Sequence, residues 1–542
     1  MLQINWRWIL SQPQKPDYAK ICANQIRKWL QVCTERHSDR CSRPASDIIP
    51  KRLIYFDKVR NIERLVAVEH LPGSCKPLDY LALSYCWGRE ENFRTVEATL
   101  QDMEYQVPHD QLPQTLKDVF RMVRLLDFQY LWIDALCIVQ DSEEWEGEAA
   151  KMGDVYANAA LVITAMSSPS VHSGLYSAKR EGFSVEERAE AHRIMRTCRT
   201  MTQNEWENQL RDTYPLLCRG WAFQERLLAR RIVHFAVMEL SWECTQGRWC
   251  ECGDEDRNGS QSGKVNNMNS ALKDSRLSAQ DGDLTRARLM WHECVKSFTR
   301  RDLTKREDRL FAIQGIASYL RGPDPSAYNN QYFYGLWKDF LPWDLLWYCD
   351  QTSQLQGQKP RGPSFSWSSV DCGVEWPVCD HLHPSKKFSV AISTGTCFDN
   401  YSMAEWENGK KYVGASLEID VTKLQLKMEA RVIPVNIKHQ DSPSDHTLVI
   451  EAIHSGASRV IPFWPDIRLE PNASVDDVVY YFAEIAAFEH GPIASQVGLV
   501  VRKKDTGDNR GAYERVGLAF SCGAKGNTAI CEGRERHQIA LT

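Results

Sequence analysis

Apolar residues in this chain recur in blocks whose spacing alternates between strand-like and helix-like. Tyr80-Leu-Ala-Leu-Ser-Tyr-Cys-Trp-Gly88 is apolar on both alternating faces, as a strand covered on both sides should be, and Gly88 permits a sharp exit. Leu116, Val119, Phe120, Val123 and Leu126 then share one face of a helix that Thr115 and Asp118 would open as a capping box. That helix feeds Tyr130-Leu-Trp-Ile-Asp-Ala-Leu-Cys-Ile-Val-Gln-Asp141, where a buried strand hands Asp134 to its carboxyl end. Asp141 and Glu144 read as the start of a second helix, Glu143 to Ala157, with Ala149, Met152, Val155 and Tyr156 inward, and Ala160 to Ala165 reads as a third buried strand. This order predicts an α/β fold with a parallel, doubly wound sheet. Right-handed crossovers would line up Ser84–Gly88, Asp134 and Thr164–Ser167 along one edge, where open α/β sheets bind ligands.

The flanks are less regular. Ile21, Cys22, Ile26, Trp29 and Leu30 form a helical stripe over residues 18–31 that runs into Cys33, His37 and Cys41, and short strands are expected near 52–56 and 64–68. Residues 178–213 read as a polar insertion. In Arg219–Leu228, Trp221, Gln224, Glu225 and Leu228 fall on one helix face, and a Gln-Glu pair there is unusual for a core stripe. Strands are expected at Arg231–Phe235 and Glu239–Cys244, and a flexible linker at Gly253–Asp283. Helices are expected at Leu284–Thr299, at Arg306–Leu320 behind a Thr304/Glu307 capping box, and as an aromatic segment around Tyr332–Tyr348. Beyond 378 the pattern alternates, with strands expected at Tyr412–Val421, Thr447–Ala452, Gly498–Arg502 and Tyr513–Phe520.

Composition narrows the class. At 542 residues, two to four domains are expected. A formal net charge of −5 supplies no basic surplus for a nucleic-acid backbone. There is no signal-peptide pattern and no apolar run approaching the roughly 18 residues that span a bilayer. The expectation is a cytoplasmic protein whose 18 cysteines are reduced thiols packed as small hydrophobes. Cys33, His37 and Cys41, with Cys22, invite a zinc reading, but they lack the short paired loops of structural sites, so packing is preferred and no metal is assigned. Cys244, Cys250 and Cys252 with Glu251 give an equally weak metal signal. Cys137 as a nucleophile, with Asp134 orienting His172 or His234, is a minor alternative. No Gly-x-x-x-x-Gly-Lys-Ser/Thr loop exists, which disfavours a kinase or nucleotidase.

Three blocks together resemble the fungal heterokaryon-incompatibility (HET) domain: Tyr80 to Gly88, Leu112-Pro-Gln-Thr-Leu-Lys-Asp through Asp141, and Arg219-Gly-Trp-Ala-Phe-Gln-Glu225. The resemblance covers about 80–235, and Trp29-Leu with Cys33, His37 and Cys41 before it, and Asp308-Arg-Leu-Phe-Ala-Ile, Gly335-Leu-Trp and Ser364-Phe-Ser-Trp-Ser after it, also look like this family's flanks. The expected division is a helical and short-strand flank over 1–78, a HET domain over 79–240, a linker and helical region over 241–377, and a β-rich domain over 378–542. The resemblance implies a role in fungal non-self recognition that triggers cell death. The family is also distantly similar to TIR domains, so the sheet is expected to be TIR- or Rossmann-like. TIR domains that cleave NAD carry a glutamate four residues after a Trp, the spacing of Trp221 and Glu225.

On that resemblance Glu225 is the candidate catalytic carboxylate, stabilising the oxocarbenium-like centre left when nicotinamide departs from ribose. Ser84, Tyr85, Trp87, Gly88, Asp134, Arg219, Trp221 and Gln224 are the candidate substrate-binding residues. Trp87 or Trp221 would stack a ring, and Arg219 would meet a phosphate. NAD enters as substrate; no cofactor is expected. A salt bridge or plain solvation for Glu225, and a capping role for Asp134, are the structural alternatives. The functional alternative is a non-enzymatic module that signals by self-association or through a non-self-recognition partner.

Overall fold

The computed structural model describes residues 17–42, 48–71, 78–90, 92–176, 211–237, 239–251, 268–280, 284–321, 332–341, 343–349, 362–376 and the strands with their short flanks between 416 and 542. They fall into two compact units, one formed by Met1–Leu277 with Arg301–Pro323 and the other by Ser278–Arg300 with Asp324–Thr542.

The first unit is built on eight strands: β1 (Arg52–Asp57), β2 (Ile62–Ala67), β3 (Leu81–Ser84), β4 (Tyr130–Trp132), β5 (Leu161–Thr164), β6 (Arg231–Phe235), β7 (Leu240–Cys244) and β8 (Arg248–Cys250). They lie in the order β2-β1-β4-β3-β5-β6-β7-β8. The centre is parallel, β3 with both β4 and β5, and β5 with β6. Outside it the pairing turns antiparallel, β2–β1–β4 on one side and β6–β7–β8 on the other. The expected parallel sheet is therefore the middle of a mixed one. Connection length explains the hairpin pairs: only a few residues link β1 to β2, β6 to β7 and β7 to β8, whereas a parallel pair needs a crossover of about a dozen residues or more. Because the chain leaves β3 for β4 on one side and reaches β5 on the other, the carboxyl end of β3 is a switch point.

The longer helices among the described residues are α1 (Tyr18–Arg36), α2 (Gln114–Leu126), α3 (Trp145–Asn158), α4 (Gly220–Leu228), α5 (Met268–Gln280), α6 (Leu284–Thr299) and α7 (Phe311–Arg321), of which α6 falls in the second unit. In the first unit α1 buries Ala19, Cys22, Ala23, Ile26, Trp29 and Cys33; of the expected stripe Cys22, Ile26 and Trp29 are buried, while Ile21 and Leu30 are half-buried. Two expected caps do other work. Thr115 Oγ1 and Asp118 Oδ2 accept from the amides of Gly174 and Leu175 at 3.1 and 2.8 Å, tying down that segment. Asp141 accepts from the Glu97 amide at 2.9 Å, and Glu144 pairs with Lys51 and Arg52. The expected linker contains α5, and the expected Thr304/Glu307 box is replaced by a short 3-10 turn, Arg306–Arg309, before α7. The expected insertion lies outside the described residues except for Arg211–Thr213, a helical turn.

The second unit corrects one expectation sharply. In place of an aromatic helix, β9 (Tyr332–Phe333) and β10 (Leu336–Trp337) form a hairpin, and β11 (Tyr348–Cys349) pairs with β12 (Val374–Glu375). Tyr334 and Gly335 take φ of +47° and +83°, and two consecutive left-handed residues reverse a strand and cannot continue a helix. The Gly335 carbonyl accepts from the indoles of Trp291 and Trp367 at 3.2 and 2.8 Å, which brings the Gly335-Leu-Trp and Ser364-Phe-Ser-Trp-Ser motifs together. Then follow β13 (Ser416–Asp420), β14 (Gln425–Ser442), β15 (Asp445–Ala452), β16 (Val460–Pro465), β17 (Tyr480–His490), β18 (Ile493–Lys503), β19 (Ala512–Ala524) and β20 (Arg536–Leu541). The path β14-β15-β16-β19-β18-β17 closes as β17 pairs back onto β14, giving the β-rich region a barrel around Ile433, Val435, Ile450, Phe463, Phe482 and Val500.

In the first unit α3, α4 and α7 pack together where Gly153 faces Gly315, and a Cβ on Gly153 would lie 2.8 Å from the Gly315 Cα and 2.9 Å from Leu228 Cδ1. Backbone cannot yield as a flexible side chain does. Gly153→Val should therefore lower unfolding free energy by about 1–3 kcal/mol in urea titration, whereas Gly147→Val, on the same helix with open space around it, should cost no more than about 1 kcal/mol.

Candidate functional site

The carboxyl end of β3 sets the frame. Ser84, Tyr85 and Cys86 are buried, and the chain turns at Gly88, where φ is +89° and a Cβ would sit 2.6 Å from the Cβ of Ser170. Only glycine tolerates both demands. One strand away, Asp134 starts a single helical turn, Asp134–Cys137, immediately after β4. Its Oδ1 accepts from the Ala135 amide at 2.7 Å and its Oδ2 from the Trp87 indole at 2.9 Å, while the Tyr85 hydroxyl adds a third hydrogen bond. The capping role weighed for Asp134 is present, together with a side-chain network that sequence spacing did not reveal.

α4 completes the site. Its start is pinned by the Gly220 amide donating to the Asp302 carbonyl at 2.8 Å. Arg219, just before it, donates from Nη1 to the Tyr85 carbonyl. Glu225 is 5% exposed, and its carboxyl is hydrogen-bonded by Ser84 and by Tyr156 of α3. The Tyr156 hydroxyl also lies 2.9 Å from the Leu83 carbonyl. Ser84, Tyr85, Trp87, Asp134, Arg219 and Glu225, all expected from sequence, thus form one cluster. Tyr156 and Cys86 join it. Tyr156 reads as an inward core position, because a buried phenol and a buried phenyl give the same periodic signal.

Burial dominates the electrostatics. It pushes the Glu225 carboxyl up to about 7, against the pull of the Arg219 charge and the Ser84 hydrogen bond. Burial raises Asp134 too, opposed by Arg219 and by the Trp87 and Ala135 donors. For Arg219, burial acts to lower the value, but Cys86, Glu225, Asp134 and Tyr85 outweigh it and hold the guanidinium charged. One fixed cation therefore faces two carboxyls, and a single proton held by Glu225 brings the trio to neutrality. Near neutral pH Glu225 divides between acid and carboxylate, so it can give up or take a proton at little cost.

Trp221 and Gln224 stand apart. The Trp221 indole donates to Asp308 at 3.0 Å, and Gln224 Oε1 accepts from the Gly315 amide at 3.2 Å, so both serve the packing of α4 against α7 and its preceding turn. The buried Gln224 Nε2 has no hydrogen-bond partner among the described residues. The cysteine alternative is not assembled: burial pushes the Cys137 thiol up to about 12, His172 lies 3.6 Å from Glu90 at the surface, and His234 is held between Thr164 and Glu243. Ten described cysteines are free thiols, while Cys250 is disulfide-bonded, a departure from the expectation that all are reduced. Away from the Glu225 cluster, Cys33, His37, Cys41 and Cys244 gather around one point.

Residues 80–225 match the family described as "Heterokaryon incompatibility protein (HET)". The match begins at β3 and ends on Glu225, so it spans the whole polar cluster. Residues 80–225 are a HET domain. No curated protein and no solved structure matches it. Among the described residues no helix is long and apolar enough to cross a membrane.

Removing the Trp87 indole donor leaves an oxygen of the half-buried Asp134 carboxyl short of a partner, so Trp87→Phe should cost about 1–2 kcal/mol of stability. Combined with Asp134→Asn, the loss should fall short of additivity by at least about 0.5 kcal/mol in chemical denaturation, because both changes break one network.

Proposed function

We propose that this HET domain is a cell-death effector in fungal non-self recognition and that it acts by hydrolysing NAD, with Glu225 as the catalytic carboxylate. The observation that carries the reading is a buried, charge-poised carboxyl beside the switch point of the parallel strands, with Asp134, Arg219, Ser84 and Trp87 around it. Ligands of open α/β sheets bind there. Cleavage breaks the bond between nicotinamide and the ribose carbon, and the electron pair leaves with nicotinamide. Ionised Glu225 stabilises the positive charge that develops on the ribose, where a dry, preorganised carboxylate is most effective. Water then adds to that carbon and its proton passes to Glu225, giving ADP-ribose, nicotinamide and a proton. Arg219 supplies a fork for a phosphate, and the Trp87 ring supplies a flat wall.

One observation favours the alternative, a module that signals by self-association. Glu225 is 5% exposed and its hydrogen bonds are made within the domain, as a purely structural cluster requires. The enzymatic reading needs the cluster to open to substrate.

NAD consumption by the purified chain separates the two. The enzyme reading predicts nicotinamide and ADP-ribose as products, a loss of roughly 100-fold or more in Glu225→Gln, and a rate that climbs with pH through about 7 as the carboxyl ionises. Equal NAD consumption by wild type and Glu225→Gln would remove Glu225 from the chemistry. Cell death without NAD loss would leave self-association as the mechanism.

A further inference from the structure

We propose that Cys33, His37, Cys41 and Cys244 bind one zinc ion that staples α1 and the turn after it to the end of β7, one strand in from the outer edge of the central sheet. Cys33 is on the last turn of α1, His37 follows that helix, Cys41 ends the helical turn Ser38–Cys41, and Cys244 is the last residue of β7. One ligand atom from each lies within 4.8 Å of all the others. A tetrahedral zinc with bonds of about 2.3 Å to sulfur and about 2.0–2.1 Å to nitrogen sets S···S edges near ~3.8 Å and S···N edges near ~3.6 Å. The Cys244 Sγ to His37 Nδ1 separation is 3.4 Å. The cage is the right size without rearrangement of the backbone.

The chemistry of the donors agrees. All three cysteines are buried and free, so the cluster is not a disulfide. Packing accounts for three small apolar side chains, but it does not account for an imidazole nitrogen aimed at one of the sulfurs. Three thiolates and an imidazole are a soft set that suits zinc, and four protein ligands leave no open position, which marks a structural site.

The surroundings are those of a metal centre. Arg231 Nε donates to Cys33 Sγ at 3.3 Å, and Thr245 Oγ1 lies 2.9 Å from Cys41 Sγ. Zinc with three thiolates carries a net negative charge, which the Arg231 guanidinium offsets. Trp249 stacks on the His37 ring, with centroids 5.5 Å apart and planes 26° apart, and fixes its orientation. Cys22, considered in sequence as a fourth ligand, is buried elsewhere on α1, and Cys244 takes that place. The sequence conceals the set because its fourth member is distant in the chain and arrives only with the β6–β7 hairpin.

Elemental analysis of the purified full chain tests this. The expected result is one zinc per chain, falling roughly tenfold or more in Cys41→Ser and in Cys244→Ser and unchanged in Cys22→Ser. Wild-type protein containing no zinc, or equal zinc in wild type and Cys244→Ser, would overturn the proposal. Should the ligand variants fail to fold, chelator-treated wild type refilled with cobalt(II) decides the matter. Intense visible bands of a tetrahedral site with thiolate charge transfer support it, and the weak bands of hydrated cobalt contradict it.

Discussion

The interaction on which the HET domain's centre depends is the placing of one half-buried guanidinium among groups that would otherwise repel. Arg219 reaches the Tyr85 carbonyl at the end of β3 and faces both Asp134 and Glu225. Without it, two carboxyls would share a buried space with no counter-charge, and one of them would be forced to hold its proton. With it, Asp134 is free to organise the Trp87 and Tyr85 donors while Glu225 keeps a proton that it can release near neutrality. A break of this kind is costly because it strands charge in a low dielectric.

The same geometry links fold to chemistry. β3, β4 and α4 are far apart in the chain, and only the parallel crossovers bring their ends to one edge. The network therefore reports on the assembled sheet. In the enzymatic reading its strained protonation is what makes Glu225 useful; in the signalling reading it is the lock that holds α4 against the strand ends. Both begin from one balance of forces, in which desolvation outweighs the Arg219 attraction at Glu225.

Much of the first unit was legible in the residues. Apolar runs located β4 to β7 within a residue or two, whereas β3 stops at Ser84, well short of Gly88, and the helical stripes located α1 to α4. Local capping signals were the weaker guide: Thr115, Asp118 and Asp141 are turned to tertiary hydrogen bonds that no spacing encodes. The residues Tyr332 to Tyr348 misled for a related reason. Bulky aromatics suit either period, and the deciding feature was backbone at Tyr334 and Gly335. Within the candidate site, Ser84, Asp134 and Glu225 were identified from the blocks that resemble a HET domain. Tyr156 stayed hidden in a core stripe, and the shared helix face overstated the kinship of Trp221 and Gln224 with Glu225. The sulfur cluster was half legible, since three members share one segment and the fourth joins through the sheet.

The pH dependence of unfolding free energy in wild type and in Glu225→Gln reads out whether burial holds the Glu225 carboxyl near neutrality. A carboxyl raised from the ordinary 4.5 to about 7 on folding binds its proton more tightly in the folded state. Its contribution is fully present below the unfolded value and is lost as pH rises through the folded one. Wild type should therefore lose stability relative to Glu225→Gln across that window, by on the order of 3 kcal/mol, and the difference should level off above it. A difference that stays flat through that window, or that grows in wild type's favour as pH rises, would contradict the account.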